Sequence, residues 1–299
     1  MLIDPVARTI GGLEVAAGPL SFGCWRFTTA DVGEASGLVE TALDLGMTLI
    51  DNADVYGLDW GGTGFGAAEE LLGRVMAAQP GLRDRMILTT KGGIIPGVPY
   101  DSSPQHIRGA VDASLQRLGV DTIDLYLIHR PDMYTHPEAA ATTLSELRDA
   151  GKVREVGVSN HTPTQTEALA AHLDFPLATT QPQFSAAHLD PLFDGTMDQA
   201  MRLGVVPLAW SPLAGGSLAT GEGVRPELIA VLDRLANREG VSRSVIAYAF
   251  VLAHPSRPIA IVGTQRPERL EEAVQALDVT LVHSDVYDII EASTGTPLP

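Results

Sequence analysis

The chain has 299 residues and is 45% hydrophobic but only 19% charged, a globular rather than a disordered composition. Its 37 acidic and 20 basic residues give a formal net charge of −17 with no basic run, which argues against nucleic acid or an anionic membrane surface as a partner. Cys24 is the one cysteine, the start lacks a basic-then-apolar leader, and no apolar stretch nears the ~20 residues of a membrane helix, so a cytoplasmic protein is expected.

Residues 7–17, with Gly11-Gly12 between short apolar pieces, predict a β-hairpin capping the bottom of the fold. Apolar runs then recur at 20–25, 48–51, 86–91, 123–129, 155–160, 179–184, 205–210 and 259–264. Near-continuous runs of this length suit strands buried on both faces. Helix-period segments alternate with them. Residues 31–45 place Val32, Ala35, Leu38, Val39, Ala42 and Leu43 on one stripe and stop at Gly46. Ser103-Pro104 opens a helix that runs to Gly119, and residues 137–150 end at Gly151 in the same way. Residues 212–225, rich in Gly and Ser, predict a long loop over the top.

Eight strands alternating with helices leave a barrel or a doubly wound sheet. No Gly-x-Gly-x-x-Gly follows the first strand, so the dinucleotide fingerprint of the open sheet is missing. Polar residues cluster at strand ends: Asp51, Lys91, His129, Ser159-Asn160, Gln181 and Trp210. A barrel places its active site on that face. The prediction is one α/β domain over residues 1–299, a (β/α)8 TIM barrel with an N-terminal β-hairpin cap.

A tyrosine donates a proton sluggishly at neutral pH, because its reference pKa is near 10. A neighbouring ammonium lowers that value, and a carboxylate keeps the ammonium charged. Tyr56, Lys91 and Asp51 supply such a set, and His129, ending the next strand, is placed to polarise a carbonyl oxygen. Each residue alone has a bland explanation as a cap, a surface charge or a packed ring. Grouped on three consecutive strand ends they point to proton transfer at a carbonyl.

The stretch from Asp51 to Gly57, Asp-Asn-Ala-Asp-Val-Tyr-Gly, resembles the motif around the catalytic Asp and Tyr of the aldo-keto reductase family. Thr90-Lys91 resembles that family's lysine segment, and Asp124 to Pro131 its histidine segment. Gly151-Lys152-Val153-Arg154 followed by Gly157-Val158-Ser159-Asn160 resembles the next signature. The likeness spans nearly the whole chain, and it is greatest to bacterial oxidoreductases that prefer NADPH. It implies NADPH/NADP+ as cofactor and a small-molecule carbonyl compound as substrate.

By the same resemblance, Ser159, Asn160 and Gln181 match residues that hold the nicotinamide carboxamide, and Trp210 the aromatic stacked on that ring. Ser211, Leu213 and Gly215 match the loop around the pyrophosphate. Gly263, Thr264, Arg269 and Glu272 fall in the adenosine-end motif, with Arg269 at the 2′-phosphate position. Many relatives carry Lys where this chain has Gly263 and Asn where it has Ala273, which tempers the preference for NADPH. Trp25, Trp60 and Tyr134 are candidate walls of the substrate pocket. Residues 60–66, an insertion rich in Gly, read as a flexible rim.

No metal is expected, since His161, His172 and His254 lack ligand spacing. Two other classes share the pattern. A cofactor-binding regulatory or redox-sensing module of the same fold would turn over little. A barrel aldolase would use an uncharged Lys91 as a Schiff base, which Asp51 opposes.

Overall fold

The computed structural model describes residues 2–298. Eight short strands, β1 (Leu20–Gly23), β2 (Leu49–Asp51), β3 (Ile87–Gly92), β4 (Ile123–Ile128), β5 (Val153–Ser159), β6 (Thr179–Gln181), β7 (Val206–Ala209) and β8 (Ile259–Val262), are almost wholly buried. Each pairs in parallel with its neighbours in sequence, and β8 pairs with β1 to close the barrel. Closure leaves no unpaired sheet edge, so no strand has to be shielded from other chains.

The helices on the outside follow their sequence signals. They are α1 (Val32–Asp44), α2 (Ala67–Ala78), α3 (Pro104–Leu118), α4 (Pro137–Asp149), α5 (Pro163–Ala170), α6 (Asp190–Phe193), α7 (Thr196–Leu203), α8 (Ser217–Thr220), α9 (Pro226–Glu239), α10 (Arg243–Leu252), α11 (Pro267–Val274) and α12 (His283–Thr294). Asp31 caps α1 by accepting from the amides of Gly33 and Glu34 at 2.7 and 3.2 Å. Ser103 caps α3, Pro104 takes its first position, and Gly119 ends it in the left-handed region.

Two apolar clusters divide the core. Leu49, Ile87, Leu125, Leu127, Leu208, Ile259 and Ile261 fill the barrel interior. Ile50, Leu88, Tyr126 and Ile128 pack outward against the helices. Because strand side chains alternate, this partition decides which face each strand-end residue takes. Leu49 inward puts Asp51 inward; Ile87 inward puts Lys91 inward; Leu125 and Leu127 inward put His129 inward. Thr90, on the opposite face, meets Glu69 of α2 at 2.5 Å. Glu69 is fully buried and is paired by Arg117 of α3 at 2.6 Å.

The predicted hairpin is looser than expected. Only Arg8 and Ala17 pair, through amide-to-carbonyl bonds of 2.7 and 2.8 Å. Ile10, Leu13 and Ala17 instead turn their side chains into the interior cluster, plugging the barrel bottom. Insertion of those side chains is incompatible with two regular alternating strands. Gly11, at φ +52°, lets this turn press on Glu155, since a Cβ there would lie 2.4 Å from the carboxyl carbon. The loop predicted over 212–225 is partly helical, containing a tight turn at Ala214–Gly216 and then α8.

Candidate active site

Asp51, Lys91 and His129 meet on the axis at the C-terminal mouth of the barrel. The Lys91 ammonium is fully buried and donates to Asp51 Oδ2 at 2.9 Å, to the Asn52 carbonyl at 2.7 Å and to Tyr56 Oη at 3.0 Å. All three of its protons therefore have acceptors. Tyr56 arrives on the loop after β2. Gly57 behind it is left-handed at φ +112°, and a Cβ there would strike Ala67 at 2.5 Å and the Gly64 carbonyl at 2.6 Å. The tyrosine is thus anchored on the start of α2 by a glycine that no other residue replaces. Its ring meets His129 edge-on, with centroids 5.8 Å apart.

Burial is the largest influence on Tyr56, Lys91 and His129. It pushes the Tyr56 hydroxyl up, and although Lys91 pulls it down, the net direction is up. The expectation that Lys91 lowers this pKa holds for the contribution of the ammonium but not for the sum, because desolvation penalises a buried phenolate more. Tyr56 is therefore a fully protonated phenol at neutral pH. Burial pulls the Lys91 ammonium down, but Asp51 and Tyr56 outweigh it and hold it raised. A charged, triply bonded lysine is unsuited to Schiff-base chemistry. Burial, reinforced by Lys91 and Arg130, holds His129 well below the usual histidine value. A neutral imidazole results, and its Nδ1 is buried without a partner.

A second set of polar residues lies beside this cluster and is tied to it. Trp210 Nε1 donates to Asn160 Oδ1 at 2.9 Å, and Asn160 Nδ2 donates to Ser159 Oγ at 2.8 Å. Ser159 Oγ donates to the Gln181 carbonyl at 3.1 Å, and Gln181 Nε2 donates to Asp51 Oδ1 at 2.8 Å. One hydrogen-bonded chain thus runs from Trp210 to Tyr56. Sequence reasoning placed these residues on one face but missed the bond from Gln181 to Asp51 and the role of the Asn52 carbonyl. Residues 130 apart in the chain give no local signal of such a bond.

The loop after β7 bends through unusual backbone. Ser211 and Ala214 have φ of +54° and +49°, and Asn160 has +57°. Such residues cost energy and gather where a ligand is handled. Ser211 Oγ accepts from the Gly215 amide at 2.8 Å. Gly215 and Gly216 have nothing within 4 Å of a would-be Cβ, so their backbone faces open space. Near β8, Thr264 Oγ1 accepts from the Arg266 amide at 3.3 Å, while Gly263, Thr264 and Glu272 are half-buried. Arg269 is exposed on α11 and, among the described residues, its guanidinium makes no ion pair. These groups fit a dinucleotide. Asn160 and Gln181 each keep an unused amide proton, the glycine loop has room for phosphates, and a free cation stands at the far end.

Of the candidate pocket walls, Trp25 and Trp60 come together edge-on at 5.8 Å on the rim. Arg26 lies 4.0 Å over the Trp60 ring and donates to the Gly215 carbonyl at 3.1 Å. Tyr134 does not join them. It is 97% exposed, because Asp132 accepts from its amide and folds the loop so that the ring points to water.

The sequence profile of the Aldo/keto reductase family matches residues 19–294. The chain is similar to a 6-dehydroglucose reductase of Novosphingobium aromaticivorans, 46% identical over 99% of this chain and 98% of that one. A 6-dehydroglucose reductase of Agrobacterium fabrum is 35% identical over 92% and 93% of the two chains. Among solved structures, the glycerol dehydrogenase of Gluconobacter oxydans superposes with a TM-score of 0.84 at 28% identity, covering 99% and 98% of the two chains.

Proposed function

Because this chain belongs to the aldo/keto reductase family, oxidoreductases that reduce carbonyl groups, we propose that it reduces a hydroxylated aldehyde with NADPH, taking the proton from Tyr56. The observation that carries this reading is the buried Lys91 ammonium, bonded at once to Asp51 at 2.9 Å and to Tyr56 Oη at 3.0 Å at the barrel mouth. A reduced nicotinamide, when bound, supplies the hydride, and the protein supplies alignment and electrostatics. Ser159, Asn160, Gln181 and Trp210 would hold the nicotinamide end. Ser211, Leu213 and Gly215 would hold the pyrophosphate, and Gly263, Thr264, Arg269 and Glu272 the adenosine end.

In this reading Tyr56 Oη and the His129 imidazole face the substrate carbonyl oxygen. As negative charge grows there, Tyr56 gives up its proton and Lys91 stabilises the phenolate left behind. Asp51 holds the ammonium charged and aimed. The neutral His129 donates a hydrogen bond without competing as an acid. The substrate class follows the relatives: both bear the name of 6-dehydroglucose, a hexose oxidised at C6.

The test is NADPH consumption, followed at its absorbance band, with 6-dehydroglucose as substrate. Wild type turns over, while Tyr56→Phe binds the cofactor normally and loses a factor of order 10²–10⁴ in rate. A Tyr56→Phe variant reducing aldehydes at the wild-type rate would remove Tyr56 as the acid. Turnover of other aldehydes without any of the C6 aldehyde would remove the hexose.

A further inference from the structure

The mouth contains a cation that proton transfer through Tyr56 leaves unused. Most arginines among the described residues pair with a carboxylate. Among the described residues, the guanidinium groups of only Arg74, Arg130, Arg266 and Arg269 make neither a hydrogen bond nor an ion pair. Arg266 and Arg269 lie at the expected adenosine end and Arg74 on α2. Arg130 directly follows His129.

Its position is specific. Arg130 leaves the end of β4, yet its guanidinium carbon lies 5.5 Å from the centre of the Trp210 ring, just beyond the end of β7. Strands β5 and β6 stand between those two in the barrel. The side chain therefore reaches across the mouth instead of turning out to water, and the residue is only partly exposed. It also lies close enough to His129 to help keep that imidazole uncharged. A planar fork with five N–H donors is held there over the face of an indole, with no acceptor of its own.

We propose that Arg130 selects hydroxylated aldehydes, donating its N–H groups to oxygens on the carbons beyond the carbonyl. The chemistry matches, since adjacent hydroxyls offer paired acceptors to a guanidinium fork, whereas an alkyl chain offers none and would leave the cation desolvated. The phosphate oxygens of a phosphorylated aldehyde offer the same acceptors with charge added. This inference rests on the proposed hydroxyaldehyde activity and names the residue responsible for it.

The experiment compares three aldehydes with one carbon skeleton, propanal, D-glyceraldehyde and D-glyceraldehyde 3-phosphate, in the wild type, Arg130→Met and Arg130→Lys. Equal melting temperatures of the three proteins exclude a folding defect. The expected result is a rise in KM for D-glyceraldehyde of roughly 10-fold or more in Arg130→Met, partly restored in Arg130→Lys. Any loss in kcat/KM for propanal, acting through His129, is smaller than the loss for D-glyceraldehyde by roughly fivefold or more, since propanal has no group for the fork to hold. A larger loss for the phosphate than for D-glyceraldehyde supports the same contact, with charge adding to it. An equal loss on all three aldehydes overturns the proposal, because Arg130 would then act through His129 or Trp210. No loss on any overturns it as well, as does a loss confined to the phosphate. If the wild type itself prefers propanal, the hydroxyaldehyde reading fails first and the role of Arg130 falls with it. If the wild type prefers D-glyceraldehyde and Arg130→Met keeps that preference undiminished, only the role of Arg130 falls.

Discussion

The Gln181 side-chain amide donates to one oxygen of Asp51 at 2.8 Å while the other oxygen of that carboxylate holds Lys91 at 2.9 Å. A residue matched to cofactor binding is thereby built into the support of the proposed proton donor. Removing the amide leaves a buried Asp51 oxygen without its donor, which costs roughly 1–3 kcal/mol. Gln181→Leu should therefore lower kcat about 10-fold as well as weaken the cofactor. Asn160→Leu, two steps further along the chain of bonds, should act mainly on cofactor affinity. Steady-state kinetics at saturating NADPH separates the two, and an unchanged kcat in Gln181→Leu would detach Gln181 from the catalytic cluster.

Lys91→Met should nearly abolish turnover. The variant removes the cation that stabilises the Tyr56 phenolate and leaves Asp51 buried without its ion pair. Since burial already pushes Tyr56 up, losing the ammonium moves it further from neutral pH. Single-turnover measurements with bound NADPH, read at pH 7 and pH 9, check this. Rates near wild type at either pH would show that Tyr56 does not depend on Lys91.

Arg269→Ala should weaken NADPH far more than NADH. A charge-assisted contact to the 2′-phosphate exists only for NADPH. Its loss should cost about 1.5–3 kcal/mol, roughly 10- to 150-fold in affinity. Arg266, three residues earlier and also without an ion pair, limits the effect. Titration by tryptophan fluorescence measures both cofactors. Equal weakening would mean that Arg269 acts on the fold of α11 or on adenine.

Acid should destabilise the protein through its histidines. Burial holds His161 down at about 4, against a pull upward from its bond to the Ser159 carbonyl at 3.0 Å. A folded value below the unfolded one means that the unfolded chain binds more protons between them. Stability is then complete above about pH 6.5, falls as pH drops toward 4, and loses at most about 3 kcal/mol from this residue. His129, also held down, acts in the same direction. Urea unfolding at pH 7 and pH 4.5 should show a smaller difference in His161→Gln than in wild type. Identical differences would assign the acid sensitivity elsewhere.

The pair of Glu69 and Arg117 should be a stability element without a part in the chemistry. Glu69 is fully buried, and its oxygens are held by Arg117 and Thr90. Arg117→Met leaves that carboxylate unpaired and should cost about 3–5 kcal/mol in urea unfolding. The double variant with Glu69→Gln should recover much of it. If the single variant is as stable as wild type, the pair holds nothing together.

The sequence alone determined the barrel, its strand ends and the candidate set for proton transfer. The alternation of side-chain direction along a strand is local, and it forces Asp51, Lys91 and His129 onto the interior once Leu49, Ile87 and Leu125 are buried there. Helix ends were legible for the same reason, since Asp31, Ser103 and Gly119 act on backbone within one turn. Tertiary structure alone decided which residues touch across the mouth. The bond from Gln181 to Asp51, the reach of Arg130 to Trp210 and the separation of Tyr134 from the tryptophans depend on barrel closure and loop geometry, which bring together residues far apart in the chain. The direction of the Tyr56 shift belongs there too. A charge beside a phenol can be read from a motif, but how deeply the phenol is buried depends on everything packed around it.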